Sequence, residues 1–186
     1  MSETTIIPQF NLTDGQRAER KLLITVAEWT EPTLDGTTEG TEQVRELLGV
    51  RTEDSSIDYN ADVETTTDIR GNNYTDLNKT QPQQSFDPSP IIGGSRLQAY
   101  LNYIRKRNAV SELNNFTIYV ITAFVGNATD GYETEKHDNC SIIYDSIGGD
   151  TNVNFPYTVY FSNDITNGTV DKIASDFTFT PDVEVW

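Results

Sequence analysis

This 186-residue chain holds one histidine, one cysteine and 29 carboxylates, and that inventory restricts its chemistry at once. A histidine-based triad has a single candidate base, His137, and no serine or cysteine near it stands in a nucleophile-elbow setting. His137 and Cys140 have the spacing of half a zinc site, but tetrahedral zinc needs four ligands and there is no second His or Cys. Asn163–Gly168 is only superficially like the start of a calcium-binding EF-hand loop. Ile165 sits where the third-position oxygen belongs, and Ala174 where the bidentate glutamate belongs. Gly93-Gly94-Ser95-Arg96 precedes a helical pattern without GxGxxG or GxxxxGK[ST], so it reads as a flexible helix entry and not a phosphate cradle. A carboxylate pair for glycoside hydrolysis has no two members that stand out among the 29 acids. The expectation is therefore no catalytic residue, no metal and no cofactor.

The acids are informative as a pattern. From Ser56 to Ile69 the chain alternates. Ile57, Tyr59, Ala61, Val63 and Ile69 share one parity, and Asp58, Asn60, Asp62, Glu64 and Asp68 the other. Side chains of a strand point to opposite faces in turn, which predicts one long strand, or two collinear ones, spanning ~45 Å at ~3.3 Å per residue. The apolar parity is expected to enter a core. The acidic parity then forms a ladder facing water, or facing something that must not stick.

Composition bounds the rest. The length suits one well-filled core, and a net charge of −16 with a pI near 4.2 argues against wrapping nucleic acid, which needs clustered Lys and Arg. A lone cysteine excludes an internal disulfide and suits a reducing compartment. The sequence shows neither a Sec-type leader nor an apolar run of ~18 residues, so no membrane association is expected. Seven Asn-x-Ser/Thr triplets read as composition in a chain rich in Asn, Ser and Thr. Residues 30–90 and 129–186 each carry a net −9, whereas residues 91–128 carry +3. Such asymmetry is what association between unlike faces would use.

The elements that must position these residues are mostly strands. Met1–Leu12 lacks periodicity, and Lys21–Glu28 predicts a central strand. Residues 30–55 read as a long excursion broken by Glu31-Pro32, Asp35-Gly36 and Gly40, with two helical turns over Glu42–Leu48. Arg70–Asn73 has turn chemistry, and Tyr74–Lys79 returns as a hairpin arm. Gln81–Pro90 contains three prolines and is expected outside any sheet interior. Ser95 caps a helix whose Leu97, Tyr100, Leu101 and Ile104 recur at i, i+3, i+4 and i+7, with Arg105, Lys106 and Arg107 complementing the dipole in its last turn. Phe116–Val125 reads as a buried strand. Ser141–Ser146, Tyr157–Phe161 and a final segment through Phe177 and Phe179 complete the set, with Asn167-Gly168 as a hairpin turn. Many strands, one helix and no βαβ rhythm predict a mainly β fold, a β-sandwich or barrel with one packed α-helix.

The order from 55 to 125 runs from acidic hairpin to the proline-bearing linker Gln81-Pro82-Gln83-Gln84-Ser85-Phe86-Asp87-Pro88. It continues through the helix spanning Leu101–Val110 to the apolar strand Phe116–Val125. That order resembles the major tail tube proteins of long, non-contractile-tailed bacteriophages. The resemblance implies a single domain over 1–186, with 1–20 as an N-terminal arm and 30–55 as a long inter-subunit loop. Edge strands would join between subunits in six-membered rings that stack into a tail tube. It implies a virion structural protein assembled in the host cytoplasm, with tape-measure, tail initiator and terminator proteins as partners. Double-stranded DNA would pass through an acidic lumen without specific binding. In that frame Asp58, Asp62, Glu64 and Asp68 face the lumen, and Arg105, Lys106 and Arg107 form an inter-subunit basic patch. Glu31, Pro32, Glu42, Arg45, Leu47 and Leu48 belong to a stacking loop. The first dozen residues and the 30–55 loop are expected to be mobile in the free subunit and to become ordered on assembly. The rival readings are a virion or cell-surface β-module that binds a receptor or carbohydrate, and a carboxylate-based hydrolase with a deep pocket.

Overall fold

The backbone resolves the described residues into eleven strands of two to fourteen residues around one α-helix. The computed structural model describes residues 10–32, 41–52 and 55–182. Its strands are β1 (Leu23–Pro32), β2 (Thr41–Leu47), β3 (Ile57–Asp58), β4 (Asp62–Thr67), β5 (Asn73–Lys79) and β6 (Gln83–Phe86). After helix α1 (Arg96–Arg107) come β7 (Phe116–Asn127), β8 (Gly131–Tyr144), β9 (Tyr157–Tyr160), β10 (Ile165–Val170) and β11 (Phe179–Pro181). The protein is mainly β with one α-helix, and no barrel closes among the described residues. Its internal contacts gather in two units, where the length alone suggests one core.

The first unit takes residues 1–48, 117–138 and 164–186. Its strands lie in the order β2-β1-β7-β8, and β8 also pairs with β10, which pairs with β11. The two helical turns expected over Glu42–Leu48 are instead β2, antiparallel to β1 from Val26 opposite Leu47 to Pro32 opposite Thr41. Two isolated turns are too short to hold themselves, whereas a strand gains a full ladder of backbone bonds. Residues 30–32 and 41–47 of the expected 30–55 loop are therefore ladder strands; 33–40 lies outside the described residues, as do Glu53 and Asp54. Asn167-Gly168, expected as a turn, lies inside β10 with Gly168 opposite Pro181. A Cβ on Gly168 would stand 2.3 Å from the Thr180 carbonyl oxygen, so glycine serves close backbone approach here and not reversal. The core joins Val26, Tyr119, Ile121, Val170 and Phe177, with Phe179 against them. Of the N-terminal arm, Asn11 is docked: its amide donates to the Phe124 carbonyl at 2.7 Å, and the Phe10 ring meets Phe124 edge-on.

The second unit takes residues 49–116 and 139–163. Asn139, in the left-handed region at φ 59°, marks where β8 leaves β10 and takes up β9. β6 then pairs with both β9 and β3, so it is an interior strand despite the expectation for Gln81–Pro90. The three prolines, 82, 88 and 90, bracket the four residues of β6 and remove no ladder donor from it. Helix α1 starts where the sequence places it, with Ser95 Oγ accepting from the Gln98 amide, and ends at Asn108 with φ 54°. Leu97, Tyr100, Leu101 and Ile104 are buried, and the Tyr100 ring meets Phe116 edge-on at 6.2 Å. Phe86 stacks on Tyr157 at 4.9 Å in the same core.

Candidate functional site

The alternating segment is interrupted at Asn60. That residue adopts φ 41°, a left-handed conformation Asn tolerates better than most, and its side-chain amide donates to the Gln81 carbonyl at 3.1 Å. Asp58 ends up in β3, paired with β6, whereas Asp62 and Glu64 belong to β4, which among the described residues pairs only with β5 in a separate two-stranded sheet. One continuous ladder of four acids is thus replaced by two short segments on different sheets. The apolar parity does not enter a core either. Tyr59, Ala61, Val63 and Ile69 are exposed, and only Ile57 is half-buried. Period-two alternation says which side chains share a face; it does not say that anything covers that face.

What the β4–β5 hairpin presents is a ribbon whose strand residues of known exposure are all exposed. Opposed residues share a face, so Val63 with Leu77 and Thr65 with Thr75 lie on one side. Glu64 with Asp76 and Thr66 with Tyr74 lie on the other. Like charges directly opposed cost stability, and a free two-stranded hairpin is marginal in water. Asp68 has a local task. It accepts from the amides of Arg70 (2.8 Å) and Asn72 (2.9 Å), from the Asn72 side chain and from the Tyr74 hydroxyl, closing the 68–72 turn. Those donors, Asn72 foremost, hold its pKa below the ordinary carboxylate value.

The other candidate residues divide in a similar way. In the basic helix end, Arg105 donates to Asn102 Oδ1, the Arg107 guanidinium stacks over the Tyr103 ring at 4.3 Å, and Lys106 is exposed. In the expected stacking loop, Glu31 and Pro32 end β1, and Glu42, Arg45 and Leu47 belong to β2. Arg45 points inward. It pairs with Glu28, which lies opposite it in the ladder, donates to the Phe177 carbonyl at 2.8 Å, and lies 4.6 Å from the centre of the Phe177 ring. Glu28 also accepts from Gln43 at 2.6 Å and from the Tyr119 hydroxyl at 3.4 Å. Burial, with the Glu28 carboxylate adding to it, pushes the Tyr119 phenol up to about 12. Sequence reading missed this buried network. Its only signal was a pair of opposite charges, Glu28 in an expected strand and Arg45 in an expected helical turn, with no spacing that announces a pair.

His137 is buried in β8 with Nε2 3.4 Å from Glu135 Oε2, and Cys140 is buried with its Sγ accepting from the Ser162 amide at 3.4 Å. Among the described residues no group of three or more His, Cys, Asp or Glu side chains could hold a metal ion. No described helix is long and apolar enough to cross a membrane.

No protein-family model matches this sequence, and no curated protein matches it. Among solved structures, the chain is similar to one described as the cryo-electron-microscopy structure of the anti-feeding prophage baseplate, six-fold symmetrised. The match covers 81% of this chain and 94% of that one, at 9% identity and a TM-score of 0.37.

Proposed function

We propose that the chain is a non-enzymatic structural subunit of a phage tail tube, forming six-membered rings that stack into a conduit for double-stranded DNA. The observation that carries this reading is the β4–β5 hairpin, a ribbon with no partner strand among the described residues and water on both faces. Edge strands left open are an aggregation liability, and joining them between subunits removes it. The two faces differ in the sense a conduit needs. Glu64 and Asp76 face the bore and repel phosphates, while the one cation of the ladder, Lys79, stands opposite Asp62 at its far end. Val63 and Leu77 face away from the bore and are covered by protein in the ring. Asp58 and Asp62 add to the lumen charge, and Asp68 holds the hairpin tip. The order of elements over 55–125 supports the same reading through its resemblance to tail tube proteins. Tape-measure, initiator and terminator proteins are the expected partners in the virion tail.

Negative-stain electron microscopy of concentrated protein tests it, comparing the wild type with Leu77→Asp. Rings or tubes are expected from the wild type. Leu77→Asp should keep the circular dichroism spectrum and lose the rings, because Leu77 is 61% exposed before assembly. A persistent monomer at high concentration, even with a tail initiator added, would defeat the proposal, as would normal rings from Leu77→Asp.

A further inference from the structure

The second unit contains a cleft of about 610 Å³, inside the size range of small-molecule sites (roughly 300–1,000 Å³), and its nine lining residues carry no charge. At the chain's 23% of charged residues, nine positions would hold about two. We infer that this cleft binds a neutral oligosaccharide.

The chemistry of the lining selects the ligand class. Asn60, Gln81, Gln83 and Asn163 contribute carboxamides, groups that carry donors and an acceptor together, although the Asn60 amide already donates to the Gln81 carbonyl. Among the described residues the side chains of Gln81, Gln83 and Asn163 have no hydrogen-bond partner, so their full capacity points to solvent or ligand. Sugar hydroxyls donate and accept at once, and carboxamides match them without needing either charge. Tyr160 adds an exposed ring (42%) of the kind that stacks on the apolar face of a pyranose, and buried Pro82 and Phe161 add apolar surface to the lining. A phosphate or nucleic acid would find no cation here, and a metal ion no carboxylate in the lining. An apolar ligand would strand the amides.

The backbone holds the groups in place. Gln83 and Tyr160 are opposed in the β6–β9 ladder and share a sheet face with Ser141 and Asp58, the one carboxylate of that row. The Phe161 amide donates to the Pro82 carbonyl at 3.0 Å, and the Gln81 amide to the Tyr59 carbonyl at 2.9 Å. Asn60, in its left-handed conformation, clamps the Gln81 carbonyl. The strand break that divides the acidic pattern thus also builds one wall of the cleft. None of this depends on the tube reading.

Titration of the ¹⁵N-labelled full chain with maltohexaose and with chitohexaose, followed by NMR, tests the inference. At least one oligomer should move the side-chain amide signals of Gln81, Gln83 and Asn163 saturably, with a dissociation constant of about 1 mM or tighter. Tyr160→Ala should weaken binding by about tenfold or more, whereas Tyr160→Phe, which keeps the ring, should stay within about threefold. The inference is overturned by the absence of saturable shifts with both oligomers up to about 10 mM. Shifts confined to other residues, or equal affinity in Tyr160→Ala, overturn it too.

Discussion

Replacing Arg45 with methionine removes a guanidinium from the first unit while keeping most of the apolar stem in place. Four interactions go at once: the pair with Glu28, the donation to the Phe177 carbonyl, and the stacking on the Phe177 and Tyr119 rings. The Glu28 side chain is only 10% exposed, so its carboxylate would keep just the Gln43 amide and a long bond from Tyr119. Breaking a buried pair by deleting one partner costs ~3–5 kcal/mol, mostly as the uncompensated charge left behind. Arg45 is 27% exposed, so water reaches part of the site and the lower end applies, about 3 kcal/mol. For a chain of this size that lowers the thermal midpoint by roughly 6–12 °C. Urea unfolding read by Trp29 fluorescence, in a Trp186→Phe background, reports on this unit, because Trp29 is buried in β1. Adding Glu28→Gln to Arg45→Met should recover much of the loss, since a neutral amide there strands no charge. A loss below about 0.5 kcal/mol for Arg45→Met, the range of an ordinary surface change, would refute the claim that this pair locks β1, β2 and the Phe177 segment together.

Tyr119, with its pKa at about 12 in the folded chain against ~10 unfolded, contributes stability that is fully present below pH ~10 and lost as pH rises toward 12. Urea midpoints between pH 9 and 12 should therefore fall more steeply for the wild type than for Tyr119→Phe; parallel curves would contradict the shift. In the second unit, Leu101 is fully buried on α1, and Leu101→Ala should cost about 2–5 kcal/mol by chemical denaturation. A cost under about 1 kcal/mol would mean the helix stripe is not core.

Helix α1 was legible in the sequence because everything that makes it is local. Ser95 caps it, four apolar residues share one stripe, and Asn108 ends it within a turn of the last basic residue. The central strands β1 and β7 were legible for a similar reason, since an uninterrupted apolar run has few places to go except between neighbours. In β4 the alternation puts Val63 on one face with Leu77 and Glu64 on the other with Asp76, whereas the register shifts between Asp62 and Val63. The destination of each face was not in the pattern. Coverage depends on which distant segment arrives, and among the described residues β4 pairs only with β5, leaving Val63 and Leu77 exposed along with the acids.

Only tertiary pairing made β2, β6 and β10 into strands. Glu42–Leu48 has weak propensity in either direction, and the ladder to β1 decides it. Pro82 and Pro88 flank β6 rather than enter it, by one residue before it and two after it, a margin that composition does not resolve. Gly168 carries the same letters as a turn glycine, yet what it serves is the Thr180 backbone, supplied from twelve residues further along the chain. The buried Glu28–Arg45–Tyr119 network and the uncharged cleft beside Tyr160 have the same origin. Each joins residues far apart in sequence through a strand register, and a register is set by backbone partners that no local window contains.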